Sequence, residues 1–208
     1  MDYYEEFINA CENGNLELAQ LLLKNNSDIN ISAYNELAFR ETCLYGHIQV
    51  AQWLYSVKPT IDISAIDEYA FKSACEYGYL QLAQWLLTVK PTINIYIDNE
   101  DAFRWACYNG YLEIAQWLLE VKPNINISAD NEWAFKLACE NGHLKVAKWL
   151  QTINPFKYVV EVENNKLIRW KVNANYEEKM LFMLYTLSNK GYTNNLTASL
   201  VLDICKYL

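Results

Sequence analysis

The chain lacks a basic excess, a long apolar run and every short motif by which enzymes grip phosphate, metal or a nucleophile. Its 17 Lys and Arg stand against 25 Asp and Glu, a formal charge of -8 and a pI near 4.8. Neutralising nucleic-acid phosphate needs the opposite sign, so no nucleic-acid partner is expected. Nowhere do 18 apolar residues run together, and the opening Met1-Asp2-Tyr3-Tyr4-Glu5-Glu6-Phe7 has neither the basic nor the apolar part of a secretory leader. A soluble, cytoplasmic, monomeric protein without a membrane partner is the expectation. No Gly-rich loop, nucleophile elbow or paired Cys-His motif occurs, so neither an enzyme, a cofactor nor a metal is expected. Disorder is excluded in turn, because 52% of the residues are hydrophobic and 20% charged. A compact chain of this length hides about 70% of its unfolded surface.

Glycine and proline are scarce, six and four in 208 residues, yet they are not scattered. Gly14, Gly46, Gly78, Gly110 and Gly142 are 32 residues apart, as are Pro59, Pro91, Pro123 and Pro155. The same interval separates Cys11, Cys43, Cys75, Cys107 and Cys139, the five phenylalanines Phe7, Phe39, Phe71, Phe103 and Phe135, and the alanines from Ala19 to Ala147. Trp53, Trp85, Trp117 and Trp149 keep it too, with Leu21 in the first copy. Five copies span about 1–155, at roughly 1–33, 34–65, 66–97, 98–129 and 130–155. A unit of 32 residues cannot bury its apolar face alone, so the copies must stack.

The fourth copy shows what one unit is. Ala102, Phe103, Ala106 and Cys107 recur as one helical face, and Gly110 follows where a left-handed C-terminal turn meets no steric penalty. Ile114, Trp117, Leu118 and Val121 make a second helix that Lys122-Pro123 stops. From Asn124 to Asn131 apolar residues alternate and then give way to turn formers, which reads as a short extended finger.

Four repeated pairs, Glu36 with Arg40, Glu68 with Lys72, Glu100 with Arg104 and Glu132 with Lys136, have the favourable helical order and read as solvated pairs of about 0.3 kcal/mol each. Five cysteines in one slot per repeat lie too far apart for a disulfide or a shared metal and read as buried core, with Cys205 likewise. His47 and His143 share a slot with Asn15, Tyr79 and Tyr111, which argues against catalysis. The tryptophan series reads as packing between repeats.

Gly110-Tyr111-Leu112-Glu113-Ile114-Ala115-Gln116-Trp117-Leu118-Leu119, followed by Lys122-Pro123-Asn124-Ile125-Asn126, resembles the ankyrin repeat's Gly-His-x-x-x-Val-x-x-Leu-Leu and its closing Gly-Ala-Asp-Val-Asn. The resemblance recurs in five copies over three quarters of the chain. The family's Thr-Pro-Leu-His opening is replaced by forms such as Asp101-Ala102-Phe103-Arg104, and its finger glycine by Asn35, Asp67, Asn99 and Asn131, which tolerate a left-handed turn. With Asn-Glu-x-Ala-Phe and Ala-Gln-Trp-Leu, the variant is most similar to ankyrin proteins of amoeba-infecting giant viruses, the mimivirus type, which implies a host-cell cytoplasmic setting. The fold implied is an all-α helix-turn-helix solenoid with a C-terminal cap.

Positions that differ between copies face outward in such a stack. The resemblance implies that the finger tip and first helix line a concave, partner-binding face. There the chain carries Tyr34, Leu37 and Thr42, then Tyr69 and Ser73, then Asp101 and Trp105, then Trp133 and Leu137, with Tyr45, Tyr77 and Tyr108 just before the glycines. Tyr and Trp anchor protein interfaces. The competing reading is that tyrosine is abundant throughout the chain. A neutral or basic protein partner fits the acidic balance.

Residues 156–208 leave the register. Phe156 to Val162 and Lys166 to Val172 flank Glu163-Asn164-Asn165 as a hairpin, with a degenerate sixth repeat as the rival reading. Tyr176 to Ser188 and Thr197 to Leu208 read as helices. The last carries Leu196, Leu200, Ile204 and Leu208, similar to the F-box-like helix of poxviral ankyrin proteins, which implies recruitment of a ubiquitin ligase. Thr197 departs from that motif, which has Pro there. An enzymatic site in this region would need more than the scattered Glu161, Glu163, Glu177 and Glu178.

Overall fold

The computed structural model describes residues 3–173. Ten helices come in pairs: α1 (Tyr3–Glu12) and α2 (Leu16–Asn25), α3 (Ala33–Leu44) and α4 (Ile48–Val57), α5 (Ala65–Glu76) and α6 (Leu80–Val89), α7 (Ile97–Tyr108) and α8 (Leu112–Val121), α9 (Ala129–Glu140) and α10 (Leu144–Ile153). A hairpin of β1 (Tyr158–Glu163) and β2 (Lys166–Val172) follows. The chain divides into two compact units, Met1–Val146 and the remainder from Ala147, the boundary falling inside α10. No helix among the described residues is long and apolar enough to cross a membrane.

The 32-residue period becomes a stack because each slot with one residue type in every copy is buried. The five phenylalanines are 0–1% exposed, and the alanine and cysteine slots are buried with them. Burying each phenylalanine contributes about 1.5–3 kcal/mol before ordering entropy. First helices of successive repeats pack directly on one another, α1 on α3, α3 on α5, α5 on α7 and α7 on α9. Through α8, each second helix packs behind its own first helix. The tryptophan of one repeat meets the phenylalanine of the repeat before it, with ring centroids 6.3 Å apart for Phe7 and Trp53, Phe39 and Trp85, and Phe71 and Trp117. These tryptophans are half-buried and join repeats, as their periodicity implied.

Two close approaches explain the glycine slot. Gly78 has φ +88°, and a Cβ there would sit 2.6 Å from the Tyr111 ring of the next repeat. The slot of His47, Tyr79, Tyr111 and His143 therefore holds a flat ring lying on the preceding glycine, and His47 donates from Nε2 to the Glu12 carbonyl at 2.9 Å.

The finger differs from the expectation. It contains no strand: the segment from Lys58 to Ser64 makes two turns, with Ile61 and Ile63 buried between them. The Asp62 carboxylate accepts from the Ser64 N–H at 3.1 Å, and Asn30, Asn94 and Asn126 make the same short-range turn. Hydrogen bonding by these side chains replaces strand pairing. Then come consecutive left-handed residues, Tyr34-Asn35-Glu36, Ile66-Asp67-Glu68 and Asp130-Asn131-Glu132, with φ between +51° and +66°. The left-handed turn anticipated at Asn35, Asp67 and Asn131 is thus present and longer, and the right-handed part of each first helix begins after the glutamate.

This overturns the solvated-pair reading of the glutamates. Glu36, Glu68, Glu100 and Glu132 are 7–9% exposed. None of Glu36, Glu68 and Glu100 forms an ion pair with the base four residues on, because a left-handed residue does not share a right-handed helix face with it. Instead each carboxylate reaches the closing finger of its own repeat: Oε1 of Glu36, Glu68 and Glu100 accepts from the backbone N–H of Asp62, Asn94 and Asn126 at 3.3, 3.1 and 3.3 Å. The glutamate is a staple that ties the entry turn of a repeat to its closing finger.

In the second unit, β1 pairs antiparallel with β2 from Tyr158 opposite Val172 to Glu163 opposite Lys166, with an irregularity at Glu161 and Val162. Asn164 and Asn165 both have positive φ, the turn that matches strand twist. The expected hairpin is there, with its first strand beginning at Tyr158.

Candidate functional site

The bases of the first helices organise the outer face of the stack. Arg40 donates to the carbonyls of Asn35 and Tyr34 at 2.8 and 3.3 Å, which ties down the left-handed turn of its own repeat. Its guanidinium lies 5.2 Å from the centroid of Tyr69 in the next repeat. Two repeats on, Arg104 bonds the Asp98 carbonyl at 3.0 Å and lies 5.0 Å from the Trp133 ring. Arg104 also pairs with Asp101 and with Asp130, both at 2.8 Å, and Lys72 pairs with Asp98 at 2.7 Å. A recurring clamp results, in which a base grips the next repeat by a ring face or a carboxylate.

Three of the sequence-derived residues meet on this scaffold. Trp105 and Tyr108, one turn apart on α7, and Trp133 at the start of α9 form a ring cluster. Centroids are 5.1 Å for Trp105 and Tyr108, 5.2 Å for Trp105 and Trp133, and 5.6 Å for the stacked pair Tyr108 and Trp133. All three are half-buried, so they present edges and part of their faces. Asp101 stands one turn before Trp105, held by Arg104.

The others are dispersed. Tyr34 is 73% exposed and leans on Tyr4 with centroids 5.6 Å apart. Tyr45 and Tyr77 are exposed, Tyr69 lies under Arg40, and Leu37 and Leu137 are half-buried. Thr42 and Ser73 do not face outward: both are buried, and Thr42 donates to the Ala38 carbonyl at 2.7 Å. A small hydroxyl that bonds back along its own helix can enter the core. Leu196, Leu200, Ile204 and Leu208 lie outside the described residues, as do the two expected C-terminal helices.

Acidic residues that the sequence reading passed over complete the face. Glu12, Glu41 and Glu76 are half-buried among the first helices. Burial raises the Glu41 pKa, with the Arg40 charge opposing and the Glu12 charge adding. Burial likewise raises Glu76, helped by the charge of Asp101 in the next repeat. The Tyr45 phenol is pushed up by its hydrogen bond to Glu12 and that residue's charge. Their slots, two and five residues after the phenylalanine, also hold Trp105 and Tyr108, and that shared place was the available signal. No group of three or more His, Cys, Asp or Glu able to hold a metal occurs among the described residues. Cys11, Cys43, Cys75, Cys107 and Cys139 are free and buried; burial raises each pKa, to about 12 for Cys11 and Cys139.

Ring edges thus lie beside half-buried carboxylates along the first helices. Comparison with known proteins agrees with the periodicity. A family model of ankyrin repeats in three copies matches residues 70–160, and one of ankyrin repeats in many copies matches residues 7–55. Together they cover about two thirds of the chain. No curated protein matches it.

Proposed function

Because the chain belongs to the ankyrin repeat family, whose repeats are generic protein-interaction modules, we propose that it is a non-enzymatic binding protein that captures a partner protein on the face made by its first helices. The observation that carries this reading is the contact of Trp105, Tyr108 and Trp133, three half-buried rings in slots that differ from copy to copy and so have no packing role common to all repeats. Tyr34, Leu37, Tyr45, Tyr69, Tyr77 and Asp101 extend the surface along the neighbouring repeats. Capture of host-cell proteins by the parent, compared with Trp105→Ala/Trp133→Ala, tests it. A partner retained by the parent and lost by the double variant, with the far-UV circular dichroism spectrum kept, supports the reading. Equal capture by both refutes it.

The finer assignments rest on sequence resemblance alone. On the resemblance to giant-virus ankyrin proteins, the role proposed is that of a viral factor acting in the host cytoplasm. The alternative role, delivery of the captured protein to a ubiquitin ligase through Leu196, Leu200, Ile204 and Leu208, is separated from a capping role by deleting residues 192–208. Loss of ligase subunits with unchanged melting indicates an adaptor, and a drop in melting temperature a cap.

A further inference from the structure

The partner surface has a charge problem at its centre. Tyr108 and Trp133 stack across the boundary of the fourth and fifth repeats. The equivalent slots one repeat earlier are Glu76 and Asp101, so two carboxylates stand in the places where the next boundary has two stacked rings, and the Asp101 charge acts on Glu76. Asp101 shares Arg104 with Asp130. Glu76 has no cation within ion-pair distance among the described residues, and both carboxylates are half-buried. A partially buried charge without a counterion costs stability, and a cation brought by a partner recovers it.

Deepening the reading above, and resting on it, we infer that the bound segment of the partner presents an arginine or lysine between Glu76 and Asp101 and a large apolar side chain against Trp105, Tyr108 and Trp133. The ring boundary lies one repeat beyond the acidic one, about 10 Å for packed helices, which an extended chain spans in about three residues. The net charge of -8 favours the approach of a basic segment from a distance and disfavours a second copy of this chain.

The full chain is used to select from a random-sequence peptide library displayed on phage. The inference expects enriched peptides with Arg or Lys about three residues from an aromatic or Leu, whose binding weakens with salt. Glu76→Gln should weaken the synthetic peptides about tenfold while leaving melting unchanged or higher, Glu76→Lys should abolish binding, and Glu113→Gln on α8 should change nothing. Peptides without a basic residue, or basic peptides indifferent to both Glu76 variants, overturn it. If such peptides are apolar and are lost with Trp105→Ala, the binding face stands and only its charge preference falls. If no peptide is enriched, or those enriched ignore both Glu76 and Trp105, both readings fall.

Discussion

Removing the Glu68 carboxylate should loosen the tie between the entry turn of the third repeat and its closing finger by an amount the structure sets. Its Oε1 accepts from the Asn94 N–H at 3.1 Å, its Oε2 accepts from the Ser64 hydroxyl at 2.5 Å, and the side chain is 7% exposed. A hydrogen bond to a charged acceptor is worth about 1.5–3 kcal/mol, and a partly buried hydroxyl left without a partner adds about 1. Glu68→Ala keeps a non-glycine residue at φ +59°, so the backbone cost of the left-handed turn cancels. The expected loss is about 3 kcal/mol, or about 6–12 °C in melting temperature for a chain of this size. Glu68→Gln retains the acceptor for Asn94 and should lose less than about 1.5 kcal/mol. Glu17→Ala, exposed on α2, should stay within about 0.5 kcal/mol. Thermal and urea unfolding followed by far-UV circular dichroism measure all three. An alanine variant that melts with the parent, or a glutamine variant as unstable as the alanine one, refutes the staple.

The glycine slot supplies a paired test: Gly78→Ala, whose Cβ meets the Tyr111 ring, should cost more than about 2 kcal/mol, whereas Gly142→Ala, with nothing within 4 Å, should cost about 1, both read from melting. The five repeat thiols should label slowly with a maleimide or disulfide reagent until denaturant is added, because burial keeps them protonated; rapid labelling of most of them in the native state contradicts this. Glu76 holds its proton more tightly folded than unfolded, so its ionised form destabilises the fold as pH rises above the ordinary carboxylate value of 4.5. Glu76→Gln should therefore melt above the parent at about pH 7, with the advantage vanishing toward about pH 4.5; a gain that grows on acidification reverses the sign.

Much of the fold was legible because periodicity reports burial. The Phe, Ala and Cys slots, the glycine that ends each first helix and the paired asparagines of the hairpin each leave a local mark in the sequence. The staple did not. Glu four residues before Lys or Arg is also the pattern of an exposed helical pair, and the real partner, a backbone N–H in the closing finger of the repeat, has no side chain to leave a trace. The clue was that the glutamate is identical in four copies while the base alternates between Arg and Lys. For the proposed binding face, the variable slots pointed to Trp105, Tyr108 and Trp133. That their rings touch across a repeat boundary follows from the stacking geometry, and the part proposed for Glu76 follows from Asp101 holding the slot that carries a ring in the next repeat.

The clamps made by Arg40, Lys72 and Arg104 also set how the stack gives way under tension. Each ties a repeat to its immediate successor and to no other, so a load applied at the chain ends is carried as through links of a chain, one joint at a time. Once an end repeat is pulled off, its neighbour loses the same fastening and is next to go. Each release frees 32 residues, about 11 nm of extended backbone, so stretching a single molecule should yield an evenly stepped trace in place of one abrupt rupture.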